Sequence, residues 1–237
     1  MECRKFRIYS MPFEPLTMPS VDIATLKACL EEKQIPVEVN VICAKFAEFI
    51  GPQAYQNLLN SPILGDAVFA GLLFPSNVSE IKKWIKASAG VEEDDFDALV
   101  EHFREFFMSY VQQMDKHEPN EVFYFHMYKR QLFPSLYLAK LISQVSNNPI
   151  WLGGHHCKGE CGKSLQQLFP FVDRTFGQDI EASIINALLG EECELELDDF
   201  PTPDYSDFIY AVDQLPHSHK KVLVPNLWLQ VEVSRGC

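Results

Sequence analysis

Phe6-Arg7-Ile8-Tyr9-Ser10-Met11-Pro12-Phe13-Glu14-Pro15, then Ser20 leading into Val21, Ile23, Ala24, Leu26, Lys27, Cys29 and Leu30, then Val37-Glu38-Val39-Asn40-Val41-Ile42, is the stretch that decides the fold. The first five residues alternate apolar and polar as a strand does, and the two prolines stop strand or helix beyond them. Ser20 is a capping residue ahead of an apolar pattern of helical period that ends near Gln34, before Pro36. Residues 37–42 are a second strand. Two strands joined through a helix pair in parallel, and that crossover belongs to an α/β sheet.

Strand and helix alternate again downstream: strands at 121–125, 149–152 and 171–175, and helices at 134–145, 162–169 and 179–189. Between the two blocks, from about 44 to 118, the pattern is helical. One helix there, 94–114, carries Phe96, Leu99, Val100, Phe103, Phe106 and Phe107 on its apolar side, a stripe that reads as core. The expectation is a doubly wound five-stranded parallel sheet of Rossmann or flavodoxin type over residues 1–190, with a helical insertion. Residues 191–196 are an acidic run and 197–205 have linker composition. Residues 222–225 and 228–233 predict a short C-terminal strand segment.

Composition narrows the function classes. The chain has 237 residues, 47% hydrophobic and 22% charged, which is enough to build a core and unlike a disordered chain. A formal charge of −13 and a pI of about 4.9 argue against a nucleic-acid partner, since phosphate binding needs clustered Lys and Arg. Apolar runs fall short of the roughly 20 residues that cross a bilayer, and Met1-Glu2-Cys3-Arg4-Lys5 opens no secretory signal, so a cytoplasmic protein with no membrane partner is expected. The seven cysteines are odd in number and scattered, as reduced thiols are. Cys29 and Cys43 sit in apolar stretches and read as buried; Cys157, Cys161 and Cys237 lie in loop-like contexts.

In a doubly wound sheet, ligands bind beyond the carboxyl ends of the strands. Four loops therefore matter: 11–15, 126–131, 153–162 and 176–179. Five features lie in or beside them or follow them: Ser10-Met11-Pro12-Phe13; Gly153-Gly154; Phe169-Pro170-Phe171-Val172-Asp173; the Leu-Asp-x-x-Pro-x-Pro-Asp-Tyr run of 197–205; and Ser234-Arg235-Gly236-Cys237. In that order and spacing, the chain resembles the amino-terminal portion of the cobalamin-dependent radical S-adenosylmethionine enzymes, in the branch that modifies ribosomally made peptides.

The resemblance implies a cobalamin-binding α/β domain followed by the start of a radical S-adenosylmethionine domain, missing here because the chain stops at the first cluster cysteine. Cys237 would be the first of three thiolate ligands to a four-iron, four-sulfur cluster, whose fourth iron takes S-adenosylmethionine only in a full-length enzyme. Cobalamin would lie against Met11, Pro12 and Phe13, against Tyr128, Lys129 and Arg130, against Gly153, Gly154 and His155, and against Gly177 and Gln178. The family's Gly-Glu-Gly-Glu stretch is reduced here to Phe176-Gly177-Gln178-Asp179-Ile180-Glu181, with one glycine kept. The implied partners are a precursor peptide and the absent radical domain, and the implied chemistry is C-methylation of that peptide.

Other constellations carry competing readings. Gly153 to Gly162 holds His155, His156, Cys157 and Cys161, which suits zinc in residue type; one Cys-x-x-x-Cys pair without a second favours a glycine-rich loop entering a helix. Cys157 with a histidine would be a nucleophilic pair, but no third orienting residue is evident. His217 and His219 read as solvated surface, and Asp94-Asp95 as a charged helix start. A phosphoacceptor receiver would need acids at 10–12, where Ser10-Met11-Pro12 stand. A non-catalytic α/β module that binds a peptide or partner subunit through the helical insertion is the alternative function.

Overall fold

The computed structural model describes residues 5–114, 119–190, 193, 195 and 199–231. The expected opening is present: strand β1 (Lys5–Ser10), helix α1 (Val21–Glu32) and strand β2 (Val37–Val41). Ser20 caps α1, its Oγ accepting from the Ile23 amide at 3.3 Å. Five helices follow: α2 (Ile42–Ile50), α3 (Pro52–Asn60), α4 (Pro62–Leu73), α5 (Val78–Ala89) and α6 (Glu93–Gln113). Then come β3 (Glu121–Met127), α7 (Leu132–Ser143), β4 (Ile150–Gly154), α8 (Glu160–Leu168), β5 (Arg174–Phe176) and α9 (Ile180–Leu189).

The strands form one five-stranded sheet in the order β2-β1-β3-β4-β5, with every pair parallel. The chain winds outward from β1 to β2, returns across β1 to β3, and continues to β4 and β5. The fold is therefore a doubly wound α/β sheet whose order reverses between β1 and β3. The return from β2 to β3 is a parallel crossover and needs a covering element. Helices α2–α6 are that element, so the insertion is the crossover itself, enlarged from one helix to five.

Register sorts the core into two layers. Phe6, Ile8, Val122, Tyr124 and Trp151 face α1 and α9. Tyr9, Phe123, Phe125, Met127 and Leu152 face the insertion and α7. On that second side Phe46, Phe69, Phe103 and Phe107 are almost fully buried and pack ring against ring, Phe46 meeting Phe103 edge-on at 4.8 Å between centroids. The stripe on α6 is core, as its spacing predicts.

Two sequence expectations differ from the structure. β5 is not 171–175 but Arg174–Phe176, because Phe169 and Phe171 turn inward against the core and the Asp173 carboxylate accepts from the Ile150 amide at 2.8 Å. The C-terminal strand segment is absent among the described residues: 222–223 close a helix, α11 (His217–Leu223), and 225–231 run without strand pairing. Their β-prone composition has no neighbouring ladder to join. A further helix, α10 (Ser206–Gln214), follows the linker. It is anchored where Lys27 Nζ meets Asp204 Oδ2 and Ser206 Oγ, each at 2.8 Å, and Asp207 Oδ2 at 2.5 Å. Glu232 to Cys237, with the Ser-Arg-Gly-Cys motif, lie outside the described residues, as do Leu197 and Asp198 of the linker.

One ion pair is buried within the sheet. Arg7 grips Glu121 with two bonds, Nε to Oε2 at 3.2 Å and Nη2 to Oε1 at 3.1 Å, and reaches Glu38 with Nη1 at 2.9 Å. Removing Glu121 leaves the buried Arg7 guanidinium with the partly exposed Glu38 as its remaining ion-pair partner among the described residues. Glu121→Gln is expected to lower stability by about 3 kcal/mol in urea unfolding, whereas Glu160→Gln, which loses only the exposed pair with Lys163, should change it by less than about 0.5 kcal/mol.

Candidate functional site

At the carboxyl ends of β1 and β3, where the strand order reverses, the chain fills its own crevice. Met11, Pro12 and Phe13 are all buried. Phe13 has φ +76°, and its ring lies beneath the Arg130 guanidinium at 4.7 Å and edge-on to Phe69. Arg130 in turn donates to the carbonyls of Leu58 and Leu59, both at 3.0 Å, which satisfies the open end of α3. Gln131 Nε2 donates to the Met11 carbonyl at 2.8 Å, and Lys129 turns its carbonyl to His156 Nε2 and its ammonium over the Tyr128 ring. Met11, Pro12, Phe13 and Arg130 are thus joined to one another by packing.

The open space lies beside them, at the ends of β3, β4 and β5. A cleft of about 480 Å³ is lined by Asp22, Tyr128, Gly154, His155, Lys158, Gly177, Gln178, Asp179, Ile180 and Glu181. It gathers Tyr128, Gly154, His155, Gly177 and Gln178 from three loops. Gly153 sits in β4 behind it. The glycines serve close approach of the protein to itself. A Cβ on Gly154, at φ +102°, would lie 2.3 Å from the Met127 carbonyl oxygen, and one on Gly177 would lie 2.4 Å from that of Cys157.

The electrostatics of this end are unusual for a doubly wound sheet. Helix N-termini there commonly hold phosphates. Here Asp22 occupies the first turn of α1, Glu160 that of α8 and Glu181 that of α9. At α1 the position is filled: the Glu14 carboxylate accepts from the Ser20 amide at 2.6 Å and from Ser10 Oγ. Asp22, Asp179 and the buried Glu181 line the cleft with Lys158 and His155, so its carboxylates outnumber its one lysine.

Two buried polar groups at this end of the sheet were not singled out from sequence. Glu14 is buried, and desolvation raises its carboxyl above the ordinary value despite the bonds from Ser10 and Ser20 that favour the charged form. His126 lies within the 126–131 loop expected to matter, but its role was not legible. It bridges Asp22 Oδ2 at 3.1 Å and the Tyr124 hydroxyl at 3.2 Å. A histidine closing an otherwise apolar strand is the signal that marks it. The order acid, imidazole, hydroxyl is that of a triad, but Tyr124 is fully buried, so its hydroxyl does not reach the cleft.

Among the described residues no group of three or more His, Cys, Asp or Glu converges as metal ligands would. His155 and His156 stand edge to face at 5.9 Å. Cys157 is buried, and desolvation pushes its thiol up to about 12. His217 is exposed, and Asp94 and Asp95 start α6 with Glu93. A second, larger groove of about 720 Å³ lies between α2, α6 and β2, floored by Arg7, Glu38 and Asn40 and walled by Phe49, Phe106 and Tyr110. No helix among the described residues is long and apolar enough to cross a membrane.

No family model, no curated protein and no solved structure matches the chain.

Two measurements check this description. Brief iodoacetamide treatment at pH 8 followed by peptide mass mapping should modify exposed Cys161 and spare buried Cys29, Cys43 and Cys157. For Glu14 the folded state holds the proton more tightly than the unfolded state, so its contribution is present below the unfolded carboxyl pKa and is lost as pH rises through the raised folded value. Glu14→Gln should therefore be near neutral in urea unfolding at pH 4 and stabilising at pH 8; a variant weaker than wild type at pH 8 contradicts this.

Proposed function

We propose that this chain is the cofactor-holding portion of a cobalamin-dependent radical S-adenosylmethionine enzyme that C-methylates a ribosomally made peptide, with the corrin seated at the cleft beyond β3, β4 and β5. The observation that carries the reading is the convergence of Tyr128, Gly154, His155, Gly177 and Gln178 on that one cleft. Its chemistry fits a corrin better than a nucleotide. A corrin ring is fringed with amide side chains, whose N–H groups suit Asp22, Asp179 and the Gln178 carbonyl, whereas a pyrophosphate would face those two carboxylates. The cleft is open and smaller than a corrin, so it would grip one side of the ring and leave the other exposed at the end of the sheet. When bound, the group supplies a transferable methyl. Within this chain, Tyr128, half exposed at the rim, offers a stacking face, and His155 offers a ring nitrogen. The same reading assigns Cys237 to the cluster that binds S-adenosylmethionine.

A second reading, a module that binds a peptide or partner subunit without any cofactor, is favoured by the groove between α2 and α6, which lies in the helical insertion and apart from the cleft.

Incubation with hydroxocobalamin followed by desalting should leave corrin absorbance with the protein, and Tyr128→Ala and His155→Ala, both at exposed positions, should each reduce the retained fraction about threefold or more with the fold intact by circular dichroism. A colourless wild-type protein sinks the corrin reading. Retention of a candidate precursor peptide by that colourless protein would favour the second.

A further inference from the structure

We propose that Asp22 is the carboxylate with which the cleft recognises an N–H group of its ligand, and that His126, locked by Tyr124, is the residue that positions it. This deepens the assignment of the cleft as the ligand site and rests on it for the ligand, though not for the relay. Asp22 stands on the cleft wall with its side chain about half exposed, while His126 behind it is buried.

The three groups fix one another by proton counting. An ionised carboxylate only accepts, so the proton between Asp22 Oδ2 and His126 Nε2 belongs to Nε2. Burial holds the Tyr124 phenol well above its ordinary value, so its hydroxyl keeps its proton and, with the imidazole neutral and protonated on Nε2, donates it to Nδ1. The neutral Nε2–H tautomer is then the arrangement that uses every donor and acceptor once. Tyr124 is itself held from behind: a Cβ on Gly153 would lie 2.0 Å from its hydroxyl, so any larger residue there would displace it.

The consequence reaches the cleft. A carboxylate has about four acceptor sites, so the bond from His126 orients the group without exhausting its acceptor capacity. The chemical class that fits is an amide or ammonium N–H, since a phosphate beside Asp22 would meet a like charge.

The test uses protein labelled with nitrogen-15 at histidine, with hydroxocobalamin and flavin mononucleotide as probes. His126 should show the Nε2–H tautomer, and Asp22→Ala should shift the Nε2 resonance by removing its acceptor while Tyr124 still donates to Nδ1. Asp22→Ala should weaken hydroxocobalamin binding about tenfold or more. His126→Leu should do the same, with His126→Gln, which keeps one donor and one acceptor, recovering most of the loss. Flavin mononucleotide should bind wild type at least tenfold more weakly than hydroxocobalamin. Hydroxocobalamin binding that is unchanged in Asp22→Ala overturns the inference while leaving the cleft as a corrin site. A wild-type protein that takes up no hydroxocobalamin but shows the Nε2–H tautomer, with an Nε2 resonance that shifts in Asp22→Ala, overturns the corrin assignment and supports the relay. The Nδ1–H tautomer in wild type overturns the relay whatever binds.

Discussion

Every strand of this sheet runs the same way, and a parallel sheet must be covered on both faces because neither of its faces tolerates water. The rest of the molecule follows from that demand. Covering helices cannot be joined by hairpins, so the chain crosses over between strands, and all carboxyl ends collect at one end of the sheet with the loops that follow them. The crossover from β2 to β3 is the longest because it must pass over β1, and in this chain it became five helices with an aromatic interior. The helical insertion and the sheet therefore share one core: Tyr9, Phe123 and Phe125 pack on the same side as Phe46 and Phe69.

The carboxyl end divides into a closed half and an open half. Between β1 and β3, where the strand order reverses and a doubly wound sheet ordinarily leaves its crevice, Phe13, Arg130 and Gln131 occupy the space. Arg130 is held there by the carbonyls at the end of α3, so the insertion helps to close the crevice. The opening is displaced toward β4 and β5, where the loop after β4 is bent flat against its neighbours by Gly154 and Gly177. A glycine in a binding loop need not be there for the ligand.

Charge at this end is arranged against phosphate. Side-chain carboxylates take the helix N-terminal positions that would otherwise attract an anion, and the Glu14 carboxylate sits within the turn that leads into α1. The net charge of −13 says only that the molecule is acidic. Its meaning for ligand choice comes from where Asp22, Asp179 and Glu181 stand.

Period and punctuation alone carried the fold: alternating residues in 6–10 and 37–41, the Ser20 cap, the helical stripe on 94–114 and the resumed alternation after 121 lead to a parallel sheet with a helical insertion, since those signals are local and each is decided within one element. The site was legible to the extent that its loops follow the strands, which placed Tyr128, Gly154, His155, Gly177 and Gln178 at one end. Which of the named residues face a cleft and which face one another was decided by packing: Met11 and Phe13 belong to the core, and Arg130 to the end of a helix far away in sequence. Asp22 and His126 are 104 positions apart and meet only because α1 and β3 are neighbours in space. Likewise 228–231 has the residues of a strand, but a strand exists only when another backbone offers a ladder of hydrogen bonds, and here the Trp228 amide finds the Thr17 carbonyl at 2.8 Å without any ladder forming. Local preferences are written along the chain; the partners that satisfy them are supplied by the tertiary fold.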